Sequence, residues 1–339
     1  MVQRIIERGE IESLDHTALP RFHLPEGAAA VFAARAARLR DLADGKVAGI
    51  AFNPALSGYL ELMREVTLAQ SEIAQSLSEA DLDMPDQKSL SLALDHMMPP
   101  LATQLKRPLM WSTILNALIE KLADHNNPEK AALNSVLQSL RDLIEENLED
   151  LEDQANAVLA QRHEQVNPAQ APFIAAALQV LWTSRAAKLK QQQVPMLDTF
   201  TLCPVCGSHP VASLIRIGGQ SQGYRYLTCG MCATQWHMVR VKCVSCEQNG
   251  KISYQGLDPV DAPEAAASPV NKANDPRKYV RAETCGDCHR YTKIFNQEHD
   301  YNAEPFVDDL ATLTLDILVS EAGFDRGNIN PLLWFGESE

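Results

Sequence analysis

No cysteine precedes Cys203, and no run of about 18 or more apolar residues occurs anywhere in the chain. The densest apolar stretch, residues 171–182, is short and is interrupted by Gln179, so we expect a buried helix there rather than a membrane span. The opening residues, MVQRIIERGEIESLDH, lack an apolar core followed by a small-residue cleavage site, and no secretory signal is predicted. We therefore expect a cytoplasmic protein with no membrane partner.

Positive charge is scarce relative to negative charge. The 30 Lys and Arg residues face 44 Asp and Glu residues, which gives a formal net charge of −14. Affinity for phosphate backbones comes from Lys and Arg, so this balance argues against a general nucleic-acid binder. A hydrophobic fraction of 45% indicates a chain that can bury a core.

Catalytic motifs are also missing, since no GxSxG, HExxH or P-loop pattern occurs. Gly218, Gly219 and Gly223 lie close together, but no Lys-Ser/Thr pair follows them, so a hairpin turn is the better interpretation. The sequence does not indicate an enzyme.

Residues 1–195 are predicted to be helical. Apolar residues recur there at helical spacing, and Asn53-Pro54, Asn127-Pro128 and Asn167-Pro168 are typical helix starts. One long amphipathic helix is predicted after Asn127-Pro128, through Leu151. Its acidic residues are expected to form a solvated face: Glu145, Glu146, Glu149, Asp150, Glu152 and Asp153.

After Pro195 the pattern changes to short segments rich in β-branched and aromatic residues, separated by turn residues, which indicates small hairpins. These segments are VASLIRI (211–217), YRYLTC (224–229), TQWHMVRVK (234–242), KISYQGL (251–257), KYVRAETC (278–285) and YTKIFN (291–296). Residues 258–277 are predicted to form an exposed excursion. A closing helix is predicted over 306–318, before Gly323, and the tail is expected to dock through four apolar residues: Leu332, Leu333, Trp334 and Phe335.

The cysteines form four CxxC pairs. A CxxC turn directs two thiolates at one ion, and two turns complete a tetrahedron with bonds of about 2.3 Å for zinc. Pairing successive turns predicts two sites: Cys203, Cys206, Cys229 and Cys232 in the first, and Cys243, Cys246, Cys285 and Cys288 in the second. A cross-braced pattern, first turn with third and second with fourth, is the alternative.

Other uses of these cysteines are less consistent with the pattern. One CxxC would be ambiguous with a thioredoxin-like redox pair, whereas four in succession favour metal over disulfides. His237 and His289 lie nearby, but eight thiolates already suffice for two sites.

The kind of metal stays open between iron and zinc. Cys203-Pro204-Val205-Cys206-Gly207 has the CPxCG form common to rubredoxins and zinc ribbons, and an all-sulfur shell suits both metals. The other three turns carry Ala233, Glu247 and His289 where the glycine would be.

The expected fold class is a multidomain α+β protein: an N-terminal helical bundle, two small rubredoxin-like or zinc-ribbon-like β modules, and a C-terminal helix. The predicted boundaries follow these changes in pattern. They are a helical domain at 1–195, a first metal module at 196–242, a second metal module at 243–302, and a closing helix and tail at 303–339.

The C-terminal 140 or so residues resemble the formate dehydrogenase accessory protein family FdhE. The resemblance is carried by CPVCGSHPVAS (203–213), GYRYLTC (223–229), QWHMVRVKC (235–243), CEQNGKISY (246–254), AETCGDC (282–288), VDDLATLTLD (307–316) and INPLLWFGE (329–337). In the helical half, APFIAAAL (171–178) is the best local match.

The resemblance implies a cytoplasmic maturation factor rather than a catalyst. Such a factor engages the molybdenum- or tungsten-containing catalytic subunit of respiratory formate dehydrogenase before twin-arginine export. It also implies that all eight cysteines are ligands, and it favours iron, with two mononuclear ions as cofactors. Self-association is left open.

Two other functions are compatible with the cysteine pattern. A zinc-ribbon nucleic-acid-binding protein would use basic strand residues: Arg216, Arg225, Arg240 and Lys242. An electron carrier would reduce and oxidise iron at these sites, but no organic-cofactor pocket is indicated beside them.

Overall fold

A computed structural model of the chain describes residues 21–257 and 278–333. The predicted excursion at 258–277 and the predicted contacts of Trp334 and Phe335 lie outside the described residues. Leu332 and Leu333 are buried, as the docking of the tail requires.

The N-terminal part is helical, as predicted. Its α-helices within the described residues are α1 (Ala28–Ala43), α2 (Ser57–Ser76), α3 (Gln87–Asp95), α4 (Met110–Leu122), α5 (Ala131–Glu146), α6 (Leu148–Leu159) and α7 (Ala171–Ala186). Asn53 and Asn127 accept a hydrogen bond from the amide two residues on, and each opens a 3-10 turn that leads into a helix. These caps satisfy backbone donors that a helix start leaves free.

Helix α7 forms the centre of this part. Every residue from Pro172 to Ala186 is buried, and α7 packs against α2, α4 and α6. A helix that is apolar on all sides has to be surrounded, which explains why its sequence shows no amphipathic stripe.

The prediction of one long helix after Asn127-Pro128 is wrong, because the helix is interrupted at Asn147. This residue has φ −145° and ψ 67°, and its side chain accepts a hydrogen bond from the Asp150 amide, so it ends α5 and caps α6. The predicted single closing helix is also wrong. It is two helices, α8 (Pro305–Leu310) and α9 (Leu313–Glu321).

The break between α8 and α9 has a tertiary cause. The Lys293 ammonium donates to the Asp309 carbonyl and to the Thr312 hydroxyl, and that hydroxyl donates to the Asp308 carbonyl. The side chains therefore bind the carbonyls of Asp308 and Asp309, which a continuous helix would use for its own backbone hydrogen bonds.

The described strands form one eight-stranded sheet with the order β1-β4-β3-β2-β7-β6-β5, and β8 pairs with β7. The strands are β1 (Phe22–His23), β2 (Pro210–Ile215), β3 (Arg225–Cys229), β4 (Gln235–His237), β5 (Ile252–Gln255), β6 (Val280–Cys285), β7 (Arg290–Asn296) and β8 (Asp325–Arg326). All six predicted segments contain a strand, although 234–242 is extended only over Gln235–His237. The two-residue strands β1 and β8 were not predicted.

The two cysteine modules share this sheet. Strand β2 of the first pairs in parallel with β7 of the second, with Ser213 opposite Ile294 and Ile215 opposite Asn296. The other contacts between the neighbouring strands β2–β3, β3–β4, β5–β6 and β6–β7 are antiparallel. The predicted α+β class with a helical part and two cysteine modules is confirmed, while the domain boundaries stay a prediction.

Within the described residues, no helix combines the length and the apolar content that crossing a bilayer requires.

Candidate metal centres

The two halves of the sheet present their cysteines in the same way. Cys203 and Cys206 lie on the turn before β2, Cys229 ends β3, and Cys232 lies on the turn that leads to β4. The second module repeats this order, with a cysteine turn before β5 and another that begins at the last residue of β6: Cys243, Cys246, Cys285 and Cys288. Each centre is therefore built from two turns at the same end of a three-stranded unit.

The residue after each CxxC has a left-handed backbone. The φ angle is +74° at Gly207, +58° at Ala233, +59° at Glu247 and +54° at His289. In three of the turns the amide of this residue donates to the carbonyl of the first cysteine, at 2.8 to 3.0 Å. This conformation explains the glycine of the CPxCG pattern, and it costs roughly 1–2 kcal/mol at each residue that has a Cβ.

Backbone amides also point at the sulfurs. The Met231 and Cys232 amides lie 3.3 and 3.4 Å from Sγ of Cys229, and the Ser245 amide lies 3.3 Å from Sγ of Cys243. Such donors stabilise negative charge on a thiolate, which is the form that binds a metal.

The sulfurs converge in two groups. Within each group all ligand atoms lie within 4.8 Å of one another, and the grouping joins successive turns rather than the cross-braced set. The shorter distances are 3.6 Å for Cys203–Cys232, 3.4 Å for Cys206–Cys229, 3.7 Å for Cys243–Cys288 and 3.8 Å for Cys246–Cys285. A tetrahedral ion with bonds of about 2.3 Å separates its ligands by about 3.8 Å, so either group fits one ion.

Disulfides do not account for these contacts. A disulfide bond joins its sulfurs at about 2.05 Å, and all eight cysteines are free. Burial raises the pKa of the Cys203 and Cys232 thiols, so a cation is needed to hold a cluster of thiolates there. The groups contain only cysteine, and His237 and His289 are not members of either. The geometry does not distinguish iron from zinc.

The helical domain holds the first centre at both of its turns. The Leu101 and Thr103 amides donate to the carbonyls of Val205 and Cys206, at 2.9 and 3.0 Å. From α7, Gln179 Nε2 donates to the Gly230 carbonyl at 2.7 Å, and the Thr183 hydroxyl lies 3.3 Å from the Met231 carbonyl. The first centre thus lies at the junction between helices and sheet.

Sequence reasoning missed the role of Gln179 and treated it as an interruption of an apolar stretch. Both Gln179 and Thr183 are fully buried, and they are four residues apart on one face of α7. Gln70 of α2 extends the chain of contacts, since its Nε2 donates to Gln179 Oε1 at 3.1 Å and to the Ala176 carbonyl at 2.9 Å. Two polar residues four positions apart in a largely apolar helix were the available signal.

A buried ion pair joins the two modules. Arg225 of β3 and Glu283 of β6 are 2.8 Å apart, and their side chains are 0% and 2% exposed. The same guanidinium donates to the Ser213 hydroxyl and the Lys242 carbonyl. Arg225 is therefore not available to a phosphate, which removes a residue on which the nucleic-acid interpretation depended.

A second buried charge cluster connects the sheet to the closing helices. Asp309 is fully buried and contacts Lys293 at 3.2 Å, Arg326 at 2.5 Å and the Asn330 amide at 3.1 Å. Asp316 pairs with the same two cations. Two carboxylates balance two cations here, so the cluster carries no net charge and docks α8 and α9 on β7.

The protein is therefore of a two-part class, in which a helical domain is attached to a sheet that carries two rubredoxin-like four-cysteine centres. Three family models cover its described parts: the FdhE N-terminal model matches residues 19–198, the FdhE central-domain model 202–240 and the FdhE C-terminal-domain model 241–333. The chain belongs to the FdhE family.

Individual relatives agree with this assignment. A Protein FdhE homolog of Cronobacter sakazakii is 37% identical over 307 residues, which cover 90% of this chain and 88% of the relative. Protein FdhE of Escherichia coli K12 is 36% identical with the same coverage. The crystal structure of the FdhE protein from Pseudomonas aeruginosa has a TM-score of 0.76 and 34% identity, and the match covers 93% of this chain and 99% of that one.

Proposed function

We propose that this protein is a cytoplasmic assembly factor for respiratory formate dehydrogenase, and that it binds the catalytic subunit of that enzyme before twin-arginine export. Membership of the FdhE family supports the formate dehydrogenase accessory role.

The observation that carries the proposal is the placement of the first four-cysteine group. Its two turns are held by hydrogen bonds from Leu101, Thr103, Gln179 and Thr183 of the helical domain. An ion bound there would link the helices to the sheet, since a structural metal contributes its binding free energy to folding. In this proposal, the surface that recognises the catalytic subunit spans both the helical part and the sheet.

Two mononuclear ions are proposed as cofactors, with iron preferred and zinc possible. Cys203, Cys206, Cys229 and Cys232 would hold the first, and the remaining four cysteines the second. Bound ions would keep the thiols deprotonated and fasten the turns. The protein is proposed to act by binding and not as a catalyst.

The metal is tested on anaerobically purified protein by elemental analysis and a visible absorption spectrum, recorded before and after oxidation. Ferric iron in a thiolate shell is coloured and zinc is not. Two ions per chain are expected. A reduced, folded chain that contains no metal would contradict the proposed cofactors.

The assembly role is tested by deleting the gene and restoring it. Formate dehydrogenase activity should fall on deletion and return with the wild-type chain, and the catalytic subunit should co-purify with the tagged protein. The Cys203→Ser/Cys206→Ser double variant should fail to restore activity. Full activity in a deletion strain that has no paralogue would refute the proposed role.

A further inference from the structure

The two four-cysteine groups differ in their access to solvent. Cys203, Cys206, Cys229 and Cys232 are all 0% exposed. In the second group Cys243 and Cys285 are 5% and 1% exposed, but Cys246 and Cys288 are partly exposed. One side of the second group therefore meets water directly.

The two inner residues of each CxxC turn show the same difference in solvent exposure. In the first group they are Pro204, Val205, Gly230 and Met231, all buried. In the second group Val244 is buried, Ser245 and Gly286 are partly exposed, and Asp287 is exposed. Asp287 pairs with the exposed Lys251, at 3.3 Å, so a carboxylate lies at the open side of the second group where a cation would arrive.

The supports of the two groups differ as well. Four hydrogen bonds from the helical domain hold the turns of the first group, and two of them come from the fully buried Gln179 and Thr183. The second group lies beside β5, which ends the order of the described strands and has only exposed or half-buried residues. Local opening is easiest at an exposed edge and hardest at a packed junction.

We infer that the second centre is an exchangeable metal site, whereas the first centre releases its ion only when the junction between the helices and the sheet opens. This inference rests on the proposed binding of two ions. Cys246 and Cys288 would be the first thiolates that an incoming ligand displaces, and each released thiolate would take a proton from solvent. Cys243 and Cys285 would follow in the same way, with no transfer of electrons. Uptake of a thiophilic cation from solvent would be the reverse of this exchange.

The consequence for the fold is local. Loss of the second ion releases the Cys243–Cys246 turn and the edge strand β5, while β6 keeps its pairing with β7. Loss of the first ion would instead release the junction between α7 and the sheet. The exchangeable ion can therefore report metal supply without unfolding the helical domain.

The test uses the full chain reconstituted with zinc. Metal release is followed with a colorimetric chelator in the presence of a thiol-alkylating reagent, and alkylated cysteines are mapped by peptide mass spectrometry at intervals. We expect two phases of one ion each, separated by about tenfold or more in rate. Alkylation during the fast phase should be confined to the second group, beginning at Cys246 and Cys288.

Matched variants assign the phases. Cys288→Ser should remove the fast phase and leave one slowly released ion, whereas Cys232→Ser should remove the slow phase. Gln179→Met should accelerate the slow phase and leave the fast phase unchanged. If a variant does not fold, the alkylation map of the unmodified chain decides.

Two outcomes would overturn the inference. One is release of both ions at a single rate, and the other is alkylation of the first group before the second. A folded chain that takes up neither zinc nor iron would instead overturn the proposed metal binding itself, so the two failures are distinguishable.

Discussion

Gln179→Met is expected to weaken the junction between the helical domain and the first metal centre. Methionine has nearly the same volume as glutamine, so the packing of α7 is retained at small cost. The substitution removes the amide that donates to the Gly230 carbonyl at 2.7 Å and the oxygen that accepts from Gln70. Gln70 keeps its second acceptor, the Ala176 carbonyl.

The main cost is that the buried Gly230 carbonyl loses its donor, and leaving such a group without a partner costs about 1–3 kcal/mol. We expect the free energy of unfolding to fall by that amount. It is measured by urea denaturation of the metal-loaded protein at a fixed free metal concentration, with an unchanged denaturant slope.

Gln138→Met is the matched control, because Gln138 is exposed and its side chain donates to Asp142 on the same helix. Its effect should stay within about 0.5 kcal/mol. If Gln179→Met is as mild as this control, the hydrogen bond to the Gly230 carbonyl does not support the junction and the reasoning is refuted.

Three further substitutions follow from buried or strained groups. Glu283→Gln leaves the Arg225 charge buried without a carboxylate, and equilibrium denaturation should show a loss of about 3–5 kcal/mol. Burial, with a smaller effect from Arg216, lowers the pKa of His23 to about 4, so the folded state resists protonation. Stability from this group is present above the unfolded pKa near 6.5 and is lost as the pH falls towards 4. Between pH 7 and 5 the wild type should lose about 1 kcal/mol more than His23→Gln, after allowance for partial exposure. Ala233→Gly removes the strain of a left-handed alanine and should raise the free energy of unfolding by up to about 1 kcal/mol, which is measured as a higher thermal midpoint. Ala33→Gly in α1 should lower the midpoint.

Each of these has its own control and its own contradicting result. Glu298→Gln, at an exposed carboxylate, should be nearly silent, and an equally small effect of Glu283→Gln would contradict the buried-pair assignment. A stability difference between wild type and His23→Gln that does not vary with pH would show that His23 is not held neutral. Destabilisation by Ala233→Gly would show that its backbone is not strained.

The cysteine turns and the strand segments were predictable from the sequence because their signals are local. CxxC spacing predicts the four turns and favours the pairing of successive turns over the cross-braced alternative, and the Asn-Pro pairs mark helix starts at Asn53 and Asn127. The break at Asn147 was within reach too, since asparagine is a good cap, but the continuing apolar pattern concealed it.

Other features depend on contacts between distant residues. The parallel pairing of β2 with β7 joins Ser213 to Ile294, and no local pattern specifies that partner. The break at Thr312 depends on Lys293, which arrives from a different element. The hydrogen bond from Gln179 to the Gly230 carbonyl likewise forms only once α7 and the first module are packed together.

Because β2 pairs with β7, the sheet cannot be completed until late in synthesis of the chain at the ribosome. All four sulfurs of the first centre have been made once Cys232 is added, together with the helices that hold them. One edge of β2 nevertheless waits for residues 290–296 before its backbone groups find their partner. At typical elongation rates that interval lasts roughly 3 to 13 seconds. If the first group binds its proposed ion during this time, the ion would fix the helical half while β2 still presents one unpaired edge. Early metal binding would then protect the growing chain from misassociation at that edge.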